Sequence, residues 1–344
     1  MLPSTRVIFS GLLKHDRSCL ARAITLVEST RMEHREQAEF LLRSLMDSTQ
    51  SRIFSSSSLR IGIAGPPGAG KSTLIESLGL HILGEGSGRL AVLAVDPSSS
   101  RTGGSILGDK TRMGTLSQHP RAYVRPTPAR GFLGGVARAT HEVVQLCEGA
   151  GYGTVLVETV GLGQSETAVE TCVDCTVLVL PPASGDELQG VKKGIVECAD
   201  IVVVNKADGR LEDAARLAAA EYRNALSLSS GKHASLWVPA VLTASAATGS
   251  GVGELWETLG KLRSALGDRV KDRRREQCEE WMWSDFREGV VSWAEQNPGV
   301  MKESLLQGSL MEQGKASPRG AARALLEVFM KKGASSRSTD VRKE

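Results

Sequence analysis

Two short stretches of this chain carry side chains in an order that binds and reads a nucleotide. Gly65-Pro66-Pro67-Gly68-Ala69-Gly70-Lys71-Ser72-Thr73 has the spacing G-x-x-x-x-G-K-S. Glycines at those positions let the backbone wrap a polyphosphate with several N–H groups and a helix N-terminus facing it. Lys71 is placed to reach the terminal phosphates and the Ser72 hydroxyl to ligate Mg²⁺. A ligand-free glycine turn can carry the same letters. The flanks argue against that, because the apolar run Leu59 to Ala64 enters the loop and the helical pattern Leu74, Ile75, Leu78, His81, Ile82 leaves it. The second stretch, Asn205-Lys206-Ala207-Asp208, follows the β-branched run Ile201 to Val204. A carboxylate at Asp208 can accept from both the ring N–H and the exocyclic amine of guanine, a donor pair that adenine lacks. Asn205 is expected to brace the loop and the Lys206 stem to cover the base face. Ser245-Ala246, after Val241 to Thr243, matches a short loop whose backbone supports the guanine carbonyl. GTP is therefore expected over ATP, since site groups left unpaired by the wrong base are costly.

The elements that must hold these loops alternate. Strands are expected at Leu59–Ala64, Leu90–Val95, Val155–Glu158, Thr176–Leu180, Ile201–Asn205 and Val238–Leu242, and helices at Leu133–Cys147, Leu188–Glu197, Leu211–Leu226 and Val252–Leu266. Continuous β-branched strands imply burial on both faces, hence a P-loop α/β fold with a mostly parallel central sheet flanked by helices. Ligands in such sheets gather at the carboxyl ends of the strands, where every motif above falls. Residues 1–54 form an N-terminal helical segment, with the periodic stretch about Gly11 to Asp47, and Ser55 to Ser58 reads as a linker into a GTPase domain over 55–266. A C-terminal helical arm follows over 267–333, with Pro298-Gly299 breaking it and Ala321–Phe329 as a last amphipathic helix; 334–344 is expected to be a disordered tail. The run Arg273-Arg274-Arg275 is expected to be a solvated helix face rather than a nucleic-acid patch. Trp281, Trp283 and Trp293 are expected to bury against a partner helix, in a second subunit, rather than to stack a ligand.

Composition sets the outer bounds. Of 344 residues 41% are hydrophobic and 24% charged, an ordinary globular balance, and a net charge of +3 is too small to argue for nucleic acid. No apolar run approaches the roughly 18 residues of a membrane span, so no membrane partner is expected. Six scattered cysteines make no disulfide framework and point to a reducing compartment. Met1 to Ser10 has Arg6 and no acid, a faint likeness to the start of a targeting peptide that gives way at once to a helical pattern. The location expected is soluble and intracellular, the mitochondrial matrix in a eukaryote or the cytoplasm in a bacterium. Cys172-Val173-Asp174-Cys175 lies just before a strand, the reverse of a thioredoxin-like order, with no second ligand pair nearby; packing cysteines are expected.

Three more stretches cluster around the expected γ-phosphate: Val95 to Ser100 ends the second strand, Gly108 to Met113 follows a glycine-rich link, and Glu158 to Glu166 ends the third strand. Carboxylates there suit Mg²⁺, directly or through water, and Gly161 would let a backbone N–H approach the phosphate. The ordered set GPPGAGKST, VLAVDPSSSRTGGSILGDKTRM, RPTPARGFLGGVARAT, VETVGLGQSE, LPPASGDELQGVKKGI and NKADG resembles the MeaB/MMAA (ArgK-type) family, GTPase chaperones of adenosylcobalamin-dependent methylmalonyl-CoA mutase. The resemblance runs from about Gly11 to about Leu266 and weakens in the arm, which in that family makes the homodimer. It implies a GTPase that gates cofactor loading into the mutase and protects it, with GTP/GDP and Mg²⁺ as ligands and no site assigned to cobalamin itself. The mutase is the implied partner, with the adenosyltransferase reached through it. By the same resemblance Asp96 and Asp109 match the first switch, Glu158 the second, and Pro181 to Lys193 a third loop that relays nucleotide state to the mutase. Lys71, Asp96, Asp109, Glu158, Gly161 and Gln164 are the implied catalytic set, and Ser72, Asp96, Asp109 and Glu158 the metal set. No glutamine stands where many GTPases orient water unless Gln164 moves in, so slow unaided hydrolysis raised by the partner is expected. Two other readings stay open: a metallochaperone GTPase, which wants a histidine-rich tract that six dispersed histidines do not supply, and service to a related acyl-CoA mutase. A small-molecule kinase on the same loop would have no need of N-K-x-D.

Overall fold

Alternating β-branched runs and amphipathic segments assemble here into one parallel sheet. The computed structural model describes residues 3–29, 31–48, 58–96, 113–128, 135–159, 171–182, 199–227 and 236–335. Strands β1 (Leu59–Ala64), β2 (Leu90–Asp96), β3 (Ala122–Pro128), β4 (Thr154–Thr159), β5 (Cys175–Leu180), β6 (Ile201–Val204) and β7 (Ala240–Thr243) lie in the order β3-β2-β4-β1-β5-β6-β7. Every described pairing is parallel, so all seven strands end at one edge of the sheet.

Side chains alternate across the pleat into two cores. Ile61 and Ile63 of β1, Leu156 of β4 and Val177 and Val179 of β5 face helices α4 (Lys71–Glu85) and α8 (Val252–Leu266), with Leu74, Leu78, Leu255 and Leu259 opposite them. Leu178, Leu180, Val202 and Val204 face the other way, onto Ala215, Ala219 and Tyr222 of α7 (Glu212–Ser227). Helix α6 (Gly135–Gly149) packs on β2 and β4 and is covered in turn by α2 (Arg17–Val27) and α3 (Met32–Ser48). The N-terminal helical segment comprises three helices, of which α1 (Pro3–Leu13) begins ahead of the periodic stretch from Gly11. Asp16 starts α2 by accepting from the N–H groups of Ser18 and Cys19, which ends the preceding helix in sequence terms.

Two elements were not expected. β3 contains Pro126 and Pro128, which argue against a strand; it forms because it is the outermost strand, where missing donors are tolerated. The five-residue helix α5 (Gly114–Gln118) precedes it. The expected helix Leu188–Glu197 lies outside the described residues, as does the tail after 335. β7 begins at Ala240 rather than Val238, whose side chain is exposed.

The chain divides into two units, Met1–Cys278 and Glu279–Glu344. α9 (Arg269–Gln296) begins in the first. There the solvated reading of the arginine run is corrected at Arg274, which is only 1% exposed. Arg274 Nη2 donates to Asp174 Oδ2 at 2.6 Å and to the Ser58 carbonyl at 3.0 Å, and its Nε donates to Asp174 Oδ1 at 2.8 Å. Arg60, second in β1, donates through Nε and Nη2 to the two carboxylate oxygens of Glu148 at 2.7 Å each. Ser58, read as linker, joins the pairs: its hydroxyl donates to Glu148 at 2.5 Å and accepts from Arg274 Nη1 at 3.2 Å. Burial alone would lower the Arg60 pKa. The charge and hydrogen bonds of Glu148, with Asp174 behind them, reverse this and hold the guanidinium more firmly protonated than usual.

In the second unit α10 (Pro298–Glu312) and α11 (Pro318–Ser335) pack on each other. Asn297 caps α10 by accepting from Gly299 and Val300, so Pro298 starts a helix as well as ending one. Trp293 meets Phe329 edge-on at 5.0 Å, a contact with a helix of the same chain, while Trp283 pairs with Phe286 and both stay more than half exposed.

Candidate nucleotide site

Those expected site residues that are described come from the ends of β1, β2, β4, β6 and β7, all at one edge. β1 runs into Gly65, whose φ of 148° and closeness to β5 exclude any side chain: a Cβ there would stand 2.1 Å from the Val179 carbonyl oxygen. Gly68 and Gly70 turn the loop with φ of 81° and 88°, and Gly70 hands over directly to α4. Ala69 is fully buried beneath the loop, while Pro67, Gly68 and Thr73 are exposed and Pro66 is half-buried. Lys71 Nζ curls back under the loop to donate to the Gly65 carbonyl at 2.8 Å and the Pro66 carbonyl at 3.2 Å.

Ser72 Oγ donates to Glu158 Oε1 at 2.8 Å, joining the first turn of α4 to the end of β4. Asp96 ends β2 beside β4, where Val95 is in register with Thr159, so its backbone lies at the same edge. Asp109, Gly161 and Gln164 lie outside the described residues, as does most of the loop Pro181–Lys193.

Asn205 is the hinge pin between the two motifs. Only 1% exposed, it donates from Nδ2 to the Ala69 carbonyl at 2.9 Å and the Gly70 carbonyl at 3.4 Å, and its Oδ1 accepts from the Ala246 N–H at 3.1 Å. One amide thereby fixes the phosphate loop, the N-K-x-D loop and the Ser245-Ala246 loop to each other. Lys206 follows with φ of 61°, unusual for a residue with a Cβ, and its side chain is exposed. Asp208 accepts a short hydrogen bond from the Ser245 hydroxyl, which also accepts from the Thr248 N–H at 3.2 Å. That second loop is closed by Gly251 at φ of 73°, where a Cβ would be 2.3 Å from the Thr243 carbonyl. Gly251 was not singled out by sequence reasoning, although the string Thr248-Gly249-Ser250-Gly251 signals such a turn.

Cys172 and Cys175 are both buried, Cys175 as the first residue of β5 in register with Ile61. Burial pushes the Cys172 thiol up to about 12. Among the described residues no group of three or more His, Cys, Asp or Glu side chains could hold a metal ion, and no helix is long and apolar enough to cross a membrane.

Known proteins resemble this chain over most of its length. The family model described as methylmalonyl-CoA mutase-associated GTPase MeaB matches residues 20–299. A probable GTPase of Mycobacterium tuberculosis is 52% identical over 316 residues, 91% of each chain. The mouse protein named methylmalonic aciduria type A homolog, mitochondrial, is 45% identical over 328 residues, 94% of this chain and 79% of its own. A crystal structure of an LAO/AO transport system kinase superposes with a TM-score of 0.73 at 32% identity, over 96% of this chain and 99% of that one.

Proposed function

The chain belongs to the methylmalonyl-CoA mutase-associated GTPase MeaB family, and from that premise we propose that GTP binding and hydrolysis at the strand-end edge gate cofactor loading into the adenosylcobalamin-dependent mutase and protect that enzyme. The observation that carries the site is the Ser72–Glu158 hydrogen bond beside a phosphate loop locked by Asn205. Two hard oxygen ligands 2.8 Å apart, one at the start of α4 and one at the end of β4, suit Mg²⁺, and a loop with backbone open at Gly68 suits a polyphosphate. Ser72 and Glu158, with Asp96 and Asp109, are read as the ligands of Mg²⁺, which would neutralise phosphate charge when bound. Lys71 is read as the cation that meets the terminal phosphates, Gly161 as a backbone donor to them, and Gln164 as the group that orients water. In hydrolysis that water's oxygen bonds to the γ-phosphorus and the bridging oxygen leaves with GDP.

On the base side, Asp208 is read as the guanine acceptor, held in place by Ser245, with Lys206 over the ring and the Ala246 backbone toward the carbonyl. The partner is read as the mutase, with the loop Pro181–Lys193 as the relay, and the adenosyltransferase is engaged only through the mutase. The second unit is read as the homodimer surface, and the exposed Trp283, Phe286, Met301 and Leu305 support that role.

Steady-state GTP turnover with and without methylmalonyl-CoA mutase tests the whole reading. The parent is expected to turn over slowly alone and faster with mutase, and Lys71→Ala to lose turnover in both conditions with its thermal midpoint nearly unchanged. Undiminished turnover in Lys71→Ala would move the site elsewhere, and a parent indifferent to the mutase would remove the partner.

A further inference from the structure

The loop that holds Asp208 is closed by a residue with no room for a side chain. Ser245, fully buried, is tied to the following turn at three atoms. Its N–H donates to the Ser250 carbonyl at 2.9 Å, its carbonyl accepts from the Gly249 N–H at 2.9 Å, and its Oγ accepts from the Thr248 N–H at 3.2 Å. Because Oγ receives that N–H, its own hydrogen is left for Asp208 Oδ2. The carboxylate is thereby held as an acceptor in one orientation, and the orientation is set by the Thr248–Gly251 turn.

That turn seats on the end of β7 through Gly251. A Cβ on Gly251 would press on the Thr243 carbonyl oxygen and stand 3.0 Å from the Ala244 Cα and 3.3 Å from its Cβ. Displacement at this contact reaches Asp208 by two routes. One runs back through Ser250 to Ser245. The other runs through Ala244, whose carbonyl accepts the N–H of Ala207 at 3.0 Å, one residue before Asp208. Gly249 is the contrast within the same turn: its φ is 80° against 73° for Gly251, yet a Cβ there would meet nothing within 4 Å. We propose that Gly251 is a positioning residue for base recognition. Its bare Cα lets the turn close on Thr243 and Ala244, and so holds the Asp208 carboxylate at the angle that accepts both guanine donors. The phosphate loop lies apart from this contact, so Gly251 acts on which base is bound rather than on turnover.

This inference rests on the reading of Asp208 as the guanine acceptor, and the experiment keeps the two apart. Affinities for GDP and for inosine diphosphate, whose base keeps the ring N–H and lacks the exocyclic amine, are measured by calorimetry. The proteins are the parent, Gly251→Ala, Gly251→Asn, Gly249→Ala and Asp208→Ala. The parent should prefer GDP by about tenfold or more, as one hydrogen bond to a charged group predicts. Gly251→Ala should lower that preference about fivefold, with GTP turnover at saturation within about threefold of the parent. Asparagine tolerates a positive φ but brings the same Cβ, so Gly251→Asn should lose as much. Gly249→Ala takes the backbone strain without the contact and should keep the preference within about twofold. A Gly251→Ala protein that melts earlier but keeps the parental preference would reduce Gly251 to a glycine of the fold. A parental preference in Gly251→Asn would assign the effect to strain rather than to the contact, and either result overturns the proposal. An Asp208→Ala protein that prefers GDP as the parent does would sink the reading of Asp208, and the inference with it. If Gly251→Ala does not fold, Thr248→Gly loosens the same turn from an exposed position and should lower the preference about threefold. A parental preference in that variant would overturn the proposal equally.

Discussion

The two edges of the sheet handle polar groups in opposite ways. At the strand ends, Gly65, Gly70, Asn205 and Ser245 hold loops by backbone and amide hydrogen bonds, and Pro67, Gly68 and Lys206 stay open. At the strand starts, about 16 Å away along β1, Arg60, Glu148, Asp174 and Arg274 close on each other with exposures of 2%, 2%, 1% and 1%. One edge keeps hydrogen-bonding capacity for something that arrives; at the other these four side chains are paired with one another. Charge in this molecule is therefore not confined to the site: Arg60, Glu148, Asp174 and Arg274 are buried against one another at the strand starts, while Lys71, Glu158 and Asp208 stand at the strand ends. Buried pairs of this kind seldom add stability over apolar replacements, but breaking one strands its partner. Their consequence here is registry, since they tie β1, α6, the turn before β5 and α9 into one arrangement.

That contrast can be broken most forcefully at Arg274. Arg274→Ala leaves Asp174 buried without its guanidinium and is expected to cost about 3–5 kcal/mol. Urea unfolding should show the loss, while GTP affinity of the folded fraction stays within about twofold; a large loss of affinity would mean that the edges are not independent. Arg274→Lys should cost less than alanine, yet more than a surface change, because one ammonium cannot replace a fork that meets Asp174 through two nitrogens. The glycines sharpen the other side. Gly65→Ala, forced against the Val179 carbonyl, should destabilise by about 3 kcal/mol and abolish nucleotide binding, whereas Gly68→Ala, with no atom within 4 Å, should cost about 1 kcal/mol of backbone strain. Equal effects in thermal melts would mean that the loop relaxes around either change. The smallest effect belongs to the cysteines. With its thiol pushed up to about 12 by burial, Cys172 should resist iodoacetamide at pH 8.5 in the folded protein and react in urea. Cys172→Ser with Cys175→Ser should keep GTP turnover within about twofold, and the parent should carry no stoichiometric zinc; one zinc per chain would restore a metal role for the pair.

The nucleotide edge was readable because its chemistry is written in contiguous letters. Gly65 to Thr73 and Asn205 to Asp208 each follow a strand, and the spacing that binds a phosphate or a base is local. Even the brace by Asn205 could be anticipated, though the carbonyls it holds, those of Ala69 and Gly70, could not. The strand-start edge has no such spelling. Arg60 and Glu148 are 88 residues apart, and Ser58 and Arg274 are 216 apart. Arg274 is also one of three arginines in a row, whose neighbour Arg275 is a surface residue paired with Asp272. Composition cannot tell which member of such a run turns inward; only the tertiary position of Asp174 does.

The prolines of β3 bear on a different hazard. Leu90 donates to the Arg121 carbonyl, so odd-numbered residues of β3 turn their backbone groups toward β2 and even-numbered ones turn theirs outward. Pro126 and Pro128 are therefore outward positions, where the free rim of the sheet would otherwise offer N–H groups to any extended chain that came alongside. With those donors absent, a stray strand finds only half a ladder at the last turns of β3. Those two positions thus work against recruiting another molecule onto the outer side of β3.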